Sequence, residues 1–310
     1  MFVDFEKWHG CKNDFLIVWL HPNDQEIVLN SLKRQASKIC DRHSGVGGDG
    51  ILVLHYSTST PLMPHKLTII NSDGTIALNC GNGLRCAAMS ILRNNRLKGE
   101  SDFLPELIDL DVEGSHMICR FLESDPGHQL VSIEMPNIES GDKLSWAKET
   151  KEKIDLLSSS YNFTIDSVNC YQIGNPHVVI ETPDCSEALM LKVGKELQSG
   201  LPIDGINVHI TQTKDINPKD NTKARSELGQ SIGELLDVWV WERGVGPTQA
   251  CGSGACSVGI HTLSLGFVDR KDWIAIDMPG GRLYTQQKNI ADPVTLAGPA
   301  EFVYGGKVEI

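Results

Sequence analysis

The sequence contains no dense run of lysine and arginine. Its formal net charge of −12 comes from 40 acidic against 28 basic residues. Nucleic acid and anionic membranes are poor partners for such a surface, although a small charged metabolite can still meet a locally polar site. No apolar stretch approaches the roughly 20 residues that a membrane span needs. The opening MFVDFEKWHG lacks the basic-then-apolar order of a secretion signal, so a cytoplasmic protein is expected. No Cys-x-x-Cys occurs among the nine cysteines, at 11, 40, 80, 86, 119, 170, 185, 251 and 256. An odd, scattered set fits free thiols in a reducing compartment better than a disulfide framework, and it argues against a structural zinc site.

What is present is an ordinary globular composition, 40% hydrophobic and 22% charged over 310 residues, enough for two domains with sizeable cores. Residues 14–20, 50–56 and 66–74 read as strands, the last ending in an Asp-Gly turn, and 25–43 has helical spacing. Residues 81–95 read as a helix whose apolar stripe is Leu84, Ala87, Ala88, Ile91 and Leu92. Residues 107–123 read as a strand pair. The order then recurs: 167–182 is strand-like and broken at Asn-Pro, 206–213 and 235–244 are strands, and 252–266 is a second apolar helix. A hairpin over 272–287 with a Pro-Gly-Gly turn follows, and EFVYGGKVEI closes the chain.

This repetition predicts an α/β (α+β) fold of two pseudo-symmetric halves from an internal duplication. Each half is a mostly antiparallel or mixed sheet wrapped around a central apolar helix, with the active site in the cleft between them. Residues 1–130 form the first half, completed by the closing strand 297–310. Residues 131–296 form the second, and the boundary falls near 128–137. Two polar insertions, 139–163 and 214–234, read as solvated surface. GVGGDG (45–50) matches Gly-x-Gly-x-x-Gly, but a helix precedes it and a strand follows. A dinucleotide loop needs the reverse order, so nucleotide binding is set aside.

Both apolar helices begin with Cys-Gly-x-Gly, at Cys80 and at Cys251. A cysteine there sits at the positive end of the helix, beside amides with no partner within it. That predicts a lowered thiol pKa, and the glycines let a ligand approach the backbone. The same amides suit a carboxylate. Two such halves, facing each other, would hold an amino acid with a thiol on either side of its α-carbon. One sulfur removes the α-proton and the other returns a proton to the opposite face, without a cofactor. A buried cysteine is ordinarily a small apolar residue, and that reading is kept for the other seven. A dithiol redox role for Cys80 and Cys251 remains a separate alternative.

At these residues the sequence resembles the diaminopimelate epimerases. The segments are NSDGTIALNCGNGLRC (71–86) and ERGVGPTQACGSGAC (242–256), with DRHSGVGGDG (41–50), GNPHVV (174–179) and GPAEFVY (298–304) in matching order. The resemblance implies interconversion of LL- and meso-diaminopimelate with no cofactor and no metal. It implies Cys251 as proton acceptor and Cys80 as proton donor, with His177 and Glu242 tuning the thiols. Gly81, Asn82, Gly252 and Ser253 would cradle the reacting carboxylate. Asn13, Asn71, Asn175, Asn207, Glu242 and Arg243 would bind the rest of the substrate, Arg243 suiting a distal carboxylate. Tyr304 matches a tyrosine of dimer contacts, so a homodimer is expected.

There are departures from the family pattern. Lys12 stands where a glycine is usual, Gly50 where many members carry a glutamine, and Pro247 where a glutamate is usual. Gly50 removes one polar contact with substrate. A relative that racemises another amino acid is the nearest alternative function, and a thiol-redox or binding protein on the same scaffold is another.

Overall fold

A computed structural model describes residues 1–23, 25–56, 64–77, 80–97, 106–122, 130–135 and 138–310. The chain runs β1 (Phe2–Gly10), β2 (Asn13–Leu20), α1 (Gln25–Cys40), β3 (Gly50–Tyr56), β4 (Pro64–Asn71), β5 (Ile76–Ala77) and α2 (Gly81–Leu97). Next come β6 (Leu107–Val112), β7 (Ser115–Leu122), β8 (Leu130–Met135), β9 (Glu139–Ser140) and α3 (Ala147–Tyr161). The second series is β10 (Ser167–Ile173), β11 (Asn175–Glu181), α4 (Glu187–Glu196), β12 (Asn207–Thr213), α5 (Pro218–Leu228), β13 (Ile232–Glu242), β14 (Gly246–Thr248) and α6 (Gly252–Leu265). The chain closes with β15 (Trp273–Met278), β16 (Gly281–Gln286), β17 (Val294–Gly298) and β18 (Glu301–Glu309).

Two compact units emerge. The first takes Met1–Leu122, Gln129–Ile133 and Gly298–Ile310, and the second is chiefly Glu134–Ala297. The segment 128–137 lies partly outside the described residues.

In the first unit, β18 and β2 flank β1 antiparallel, β2 runs parallel to β3, and β3 antiparallel to β4. β4 then meets β6 in parallel, and β6, β7 and β8 continue antiparallel. In the second unit, β9 and β11 flank β10 antiparallel, β11 runs parallel to β12, and β12 antiparallel to β13. β13 meets β15 in parallel, and β15, β16 and β17 continue antiparallel. The two successions are the same, strand for strand. β5 on β4 and β14 on β13 also correspond, each placed just before a Cys-Gly-x-Gly. Each parallel step needs a crossover, which α1 and α2 provide in the first unit and α4 and α6 in the second.

α2 and α6 are the helices around which the sheets wrap. α2 touches β1, β2, β3, β4, β7 and β18, and α6 touches β10, β11, β12, β15 and β16. Leu84, Cys86, Ala87, Ala88, Ile91 and Leu92 are buried, the larger side chains each stabilising by roughly 1.5–3 kcal/mol. α6 ends at Gly266, whose φ of 80° closes the helix left-handed.

Four features differ from the sequence reading. β1 is a full strand paired on both sides. The helix over 25–43 stops at Cys40, because the Asp41 carboxylate accepts the amides of His43 and Ser44 at 2.9 and 2.6 Å. The break within 167–182 falls at Gly174, with φ of 70°, one residue before Asn-Pro. The insertion 139–163 is also not solvated surface throughout. Leu144, Trp146, Ala147, Ile154, Leu157 and Phe163 join the core of the second unit.

The other insertion carries α5, whose single buried residue is Ala224. It is pinned electrostatically instead. Arg282 on β16 donates to both carboxylate oxygens of Asp277 at 2.6 and 2.8 Å and to Asp220 of α5 at 3.0 Å. The Arg282 side chain is 8% exposed. Arg282→Ala strands two carboxylates, so urea denaturation is expected to show a loss of about 3 kcal/mol.

Candidate active site

The same device opens both central helices. At α6, Cys251 is the N-cap, with extended backbone at φ −132° and ψ 114°, and its Sγ accepts the Gly254 amide at 3.3 Å. At α2, the Sγ of Cys80 accepts the Gly83 amide, also at 3.3 Å. Each sulfur therefore takes the third amide of its helix. The amides of Gly81 and Asn82, and of Gly252 and Ser253, have no partner within the helix, an arrangement that suits an anion. Ser253 Oγ lies 3.4 Å from the Cys251 sulfur. Cys80 is half-buried and Cys251 is buried.

The start of α2 is braced by a polar network within the first unit. Asn82 donates to Asn13 Oδ1 at 3.0 Å, and Asn13 donates in turn to Asp49 at 2.6 Å. Arg42 bridges Asp49 and Asp14, and Lys7 pairs with Asp14 and reaches the carbonyl of Gly47. Burial alone would raise the Asp14 carboxyl, but Arg42 and Lys7 outweigh it and hold it at about 2. Arg85, fully buried, donates to Asn82 Oδ1 at 2.7 Å and reaches the carbonyls of Gly81 and Pro299. The amide side chains of Asn13 and Asn82 are thus engaged with each other and their neighbours. The GVGGDG loop presents Asp49 to this network, following α1 and leading into β3. Asn71 closes the turn after β4, donating to Thr75 Oγ1 at 2.9 Å.

The second unit gathers the remaining residues. Arg243 Nη2 donates to Asn175 Oδ1 at 2.9 Å, and its backbone amide donates to Asn207 Oδ1 at 2.9 Å. Asn175, Asn207 and Arg243 therefore form one cluster. Glu242, at the end of β13, accepts from Thr248 Oγ1 at 2.6 Å. His177 is completely buried and shares a 2.9 Å hydrogen bond, Nδ1 to Nε2, with His209. Burial, then the neighbouring His209 and Arg243, push His177 well below the usual imidazole range.

The lowered pKa expected at Cys251 is overturned. Burial pushes this thiol up, the Glu242 carboxylate adds to the rise, and the Ser253 hydroxyl and Gly254 amide counter them without prevailing. Cys251 therefore rests as a thiol within the field of the Glu242 carboxylate. Cys86 is raised by burial as well, and Cys40, Cys119, Cys170 and Cys185 are pushed up to about 11, 12, 12 and 12.

The departures acquire local reasons. A Cβ at Gly50 would stand 2.6 Å from the carbonyl oxygen of Ile70, so this backbone is spaced for glycine and excludes a glutamine. Cys11 and Lys12, at φ of 52° and 65°, form the two-residue turn between β1 and β2. Lys12 thus adopts there a conformation that glycine takes more easily. Pro247 sits exposed in β14 opposite Trp241. Asp49, Arg85 and His209 bond the candidate residues Asn13, Asn82 and His177, and the sequence did not single them out. Arg85 lay inside a quoted motif, but its partners Asn82 and Pro299 are visible only in the fold. Among the described residues, no group of three or more His, Cys, Asp or Glu is placed to hold a metal ion, and no helix is long and apolar enough to cross a membrane.

The fold recurs in solved structures. A PhzF-family phenazine biosynthesis protein of Bacillus anthracis aligns with a TM-score of 0.64 at 12% identity, over 100% of both chains. A hydroxyproline epimerase of Agrobacterium vitis aligns with a TM-score of 0.56 at 11% identity, over 99% of this chain and 92% of that one. These likenesses concern the fold. Together with the sequence relatives below, the doubled unit and its paired cysteine caps define an isomerase of the epimerase and racemase class. The chain belongs to the diaminopimelate epimerase family, whose profile matches residues 5–107 and 170–303. A diaminopimelate epimerase of Pseudomonas fluorescens is 30% identical over 315 residues, and one of Pseudomonas entomophila (strain L48) is 29% identical, each covering 100% of both chains.

Proposed function

We propose that Cys251 and Cys80 serve opposite faces of one α-carbon and interconvert LL- and meso-diaminopimelate. The observation that carries this is the identical cap at both helices, a sulfur accepting the third amide at 3.3 Å, beside two amides with no partner within the helix. Cys251 acts as the proton acceptor from the LL-substrate. Being a thiol at rest, it first yields its own proton, and the Glu242 carboxylate is the group positioned by charge to receive it. Cys80 donates to the other face, and the roles exchange in reverse. The amides of Gly81, Asn82, Gly252 and Ser253 hold the reacting carboxylate and stabilise the charge that develops next to it.

The cluster of Asn175, Asn207 and Arg243 reads the distal amino acid head, with Asn71 and Asn13 contributing from the first unit. Arg243 is exposed and already forked toward Asn175, a geometry suited to a carboxylate. His177 tunes the thiol chemistry as a neutral imidazole. A homodimer is supported by β18, the edge strand of the first unit, where Phe302, Val303 and Tyr304 stay exposed. Such an apolar edge is one that a second copy would cover. The enzyme works in the cytoplasm on a small molecule, not on nucleic acid or membrane.

Reduced protein incubated with LL- or meso-diaminopimelate in D2O tests the reading. Mass spectrometry should detect one deuterium at an α-carbon, with the other isomer appearing. Exchange into other amino acids alone would point to a racemase of different specificity.

A further inference from the structure

Beside His177, a second histidine lies entirely inside the fold. His209, on β12, is fully buried, its ring stacked at 5.2 Å and 19° on that of His177. Its other edge is seated against the first turn of α6. A Cβ built on Gly254 would stand 2.1 Å from His209 Cε1 and 2.8 Å from each ring nitrogen. Gly254 is the residue whose amide donates to the Cys251 sulfur. His209 is thus wedged between the site histidine and the turn that caps the site cysteine. Its Nδ1 has no hydrogen-bond partner among the described residues. A buried unpartnered polar atom calls for a reason other than packing.

The hydrogen bonds determine where the protons lie. Asn207 Oδ1 accepts the backbone N–H of Arg243 at 2.9 Å, a donor that cannot be reversed. The other end of that amide is therefore the NH2 group, which donates to the Pro176 carbonyl at 3.2 Å and approaches His177 Nε2 at 3.5 Å. Facing a donor, His177 Nε2 presents its lone pair. A neutral imidazole carries one proton, so that of His177 is on Nδ1, and Nδ1 donates to His209 Nε2 across 2.9 Å. Burial holds both rings neutral, His209 at about 3.

We propose that His209 is a positioning residue of the epimerase, fixing His177 in the Nδ1–H tautomer with Nε2 as its acceptor and seating the Gly254 turn that holds Cys251. The proposal rests on the epimerase reading for its effect on turnover, but the tautomer stands on geometry alone. One-face chemistry needs this: His177 can receive or share a proton at Nε2 only while the other nitrogen is committed elsewhere.

The test uses the full chain labelled with 15N-histidine and two-bond 1H–15N correlation spectra, with the His177 signals assigned by comparison with His177→Asn. In the unaltered protein, His177 should carry its proton on Nδ1. His209→Phe keeps a ring against Gly254 but removes the acceptor. There the His177 signals should leave that tautomer, and kcat should fall about 10-fold or more with KM within about twofold. His209→Gln, whose Oε1 can accept, should restore the tautomer and most of kcat. His177 protonated on Nε2 in the unaltered protein would overturn the proposal, as would a His209→Phe protein with unchanged tautomer and kcat. Should His209→Phe not fold, the unaltered protein and His209→Gln decide. Absence of turnover in the unaltered protein would refute the epimerase reading, and the spectra would still judge His209.

Discussion

In Cys251→Ala, turnover of LL-diaminopimelate falls by about 1,000-fold or more, and Cys80→Ala falls as far, because each direction needs both an acceptor and a donor. Mass-spectrometric deuterium uptake and isomer formation measure this. The cysteines also cap their helices, so alanine removes a capping acceptor worth about 0.5–2 kcal/mol. Loss of turnover alone would therefore not separate chemistry from folding. Serine makes the separation. Cys251→Ser and Cys80→Ser keep an oxygen that accepts the Gly254 or Gly83 amide, and serine is a good N-cap. Their thermal unfolding should match the unaltered protein while their turnover remains lost, since a hydroxyl is a far weaker acid than a thiol. Substantial turnover in any of the four single variants would end the two-base reading.

Arg243→Ala should lower kcat/KM for diaminopimelate by about 100-fold or more, the scale on which truncating one partner of a hydrogen-bonded charge pair acts. Arg243 is exposed, and its fork holds Asn175 and the Asp204 carbonyl, so the melting temperature should barely move. Arg243→Lys should not rescue, because an ammonium cannot span the same two acceptors in one plane. Deuterium exchange into a substrate without a distal amino acid head should be equally slow in both proteins. Equal kcat/KM for diaminopimelate in Arg243→Ala and the unaltered chain would remove the residue from the distal reader.

The halves of this molecule were legible because glycine leaves a mark on sequence that physics repeats. Cys-Gly-x-Gly before an apolar run marks a helix entry, and its recurrence at Cys80 and Cys251 pointed to the doubling and to the candidate cysteines together. β1 was not legible. Its charged residues Glu6 and Lys7 break the alternation of a strand, and they are tolerated there because Arg93 and Ser90 meet Glu6 while Asp14 meets Lys7. Ser90 and Arg93 lie 84 and 87 residues from Glu6, and Asp14 meets Lys7 only once the β1–β2 turn has formed. The core face of α3 was present as Ala147, Thr150, Ile154 and Leu157, but nine charged residues over 139–155 masked it. The acidity of Cys251 was misjudged because a helix end is visible in sequence, whereas complete burial beside Glu242 is a property of the fold. His209 was illegible for the same reason, since both its neighbours come from other elements.

The pairing of β18 with β1 joins segments separated by nearly the whole chain, Phe2 opposite Glu309 and His9 opposite Glu301. At roughly 5–20 residues per second of synthesis, β1 emerges something like 15–60 s before its outer neighbour exists. Its edge must stay unsatisfied, and open to wrong neighbours, while the second unit is made. In the cell, then, the half that is begun first is finished last, and its sheet waits with an open edge while the second unit is made.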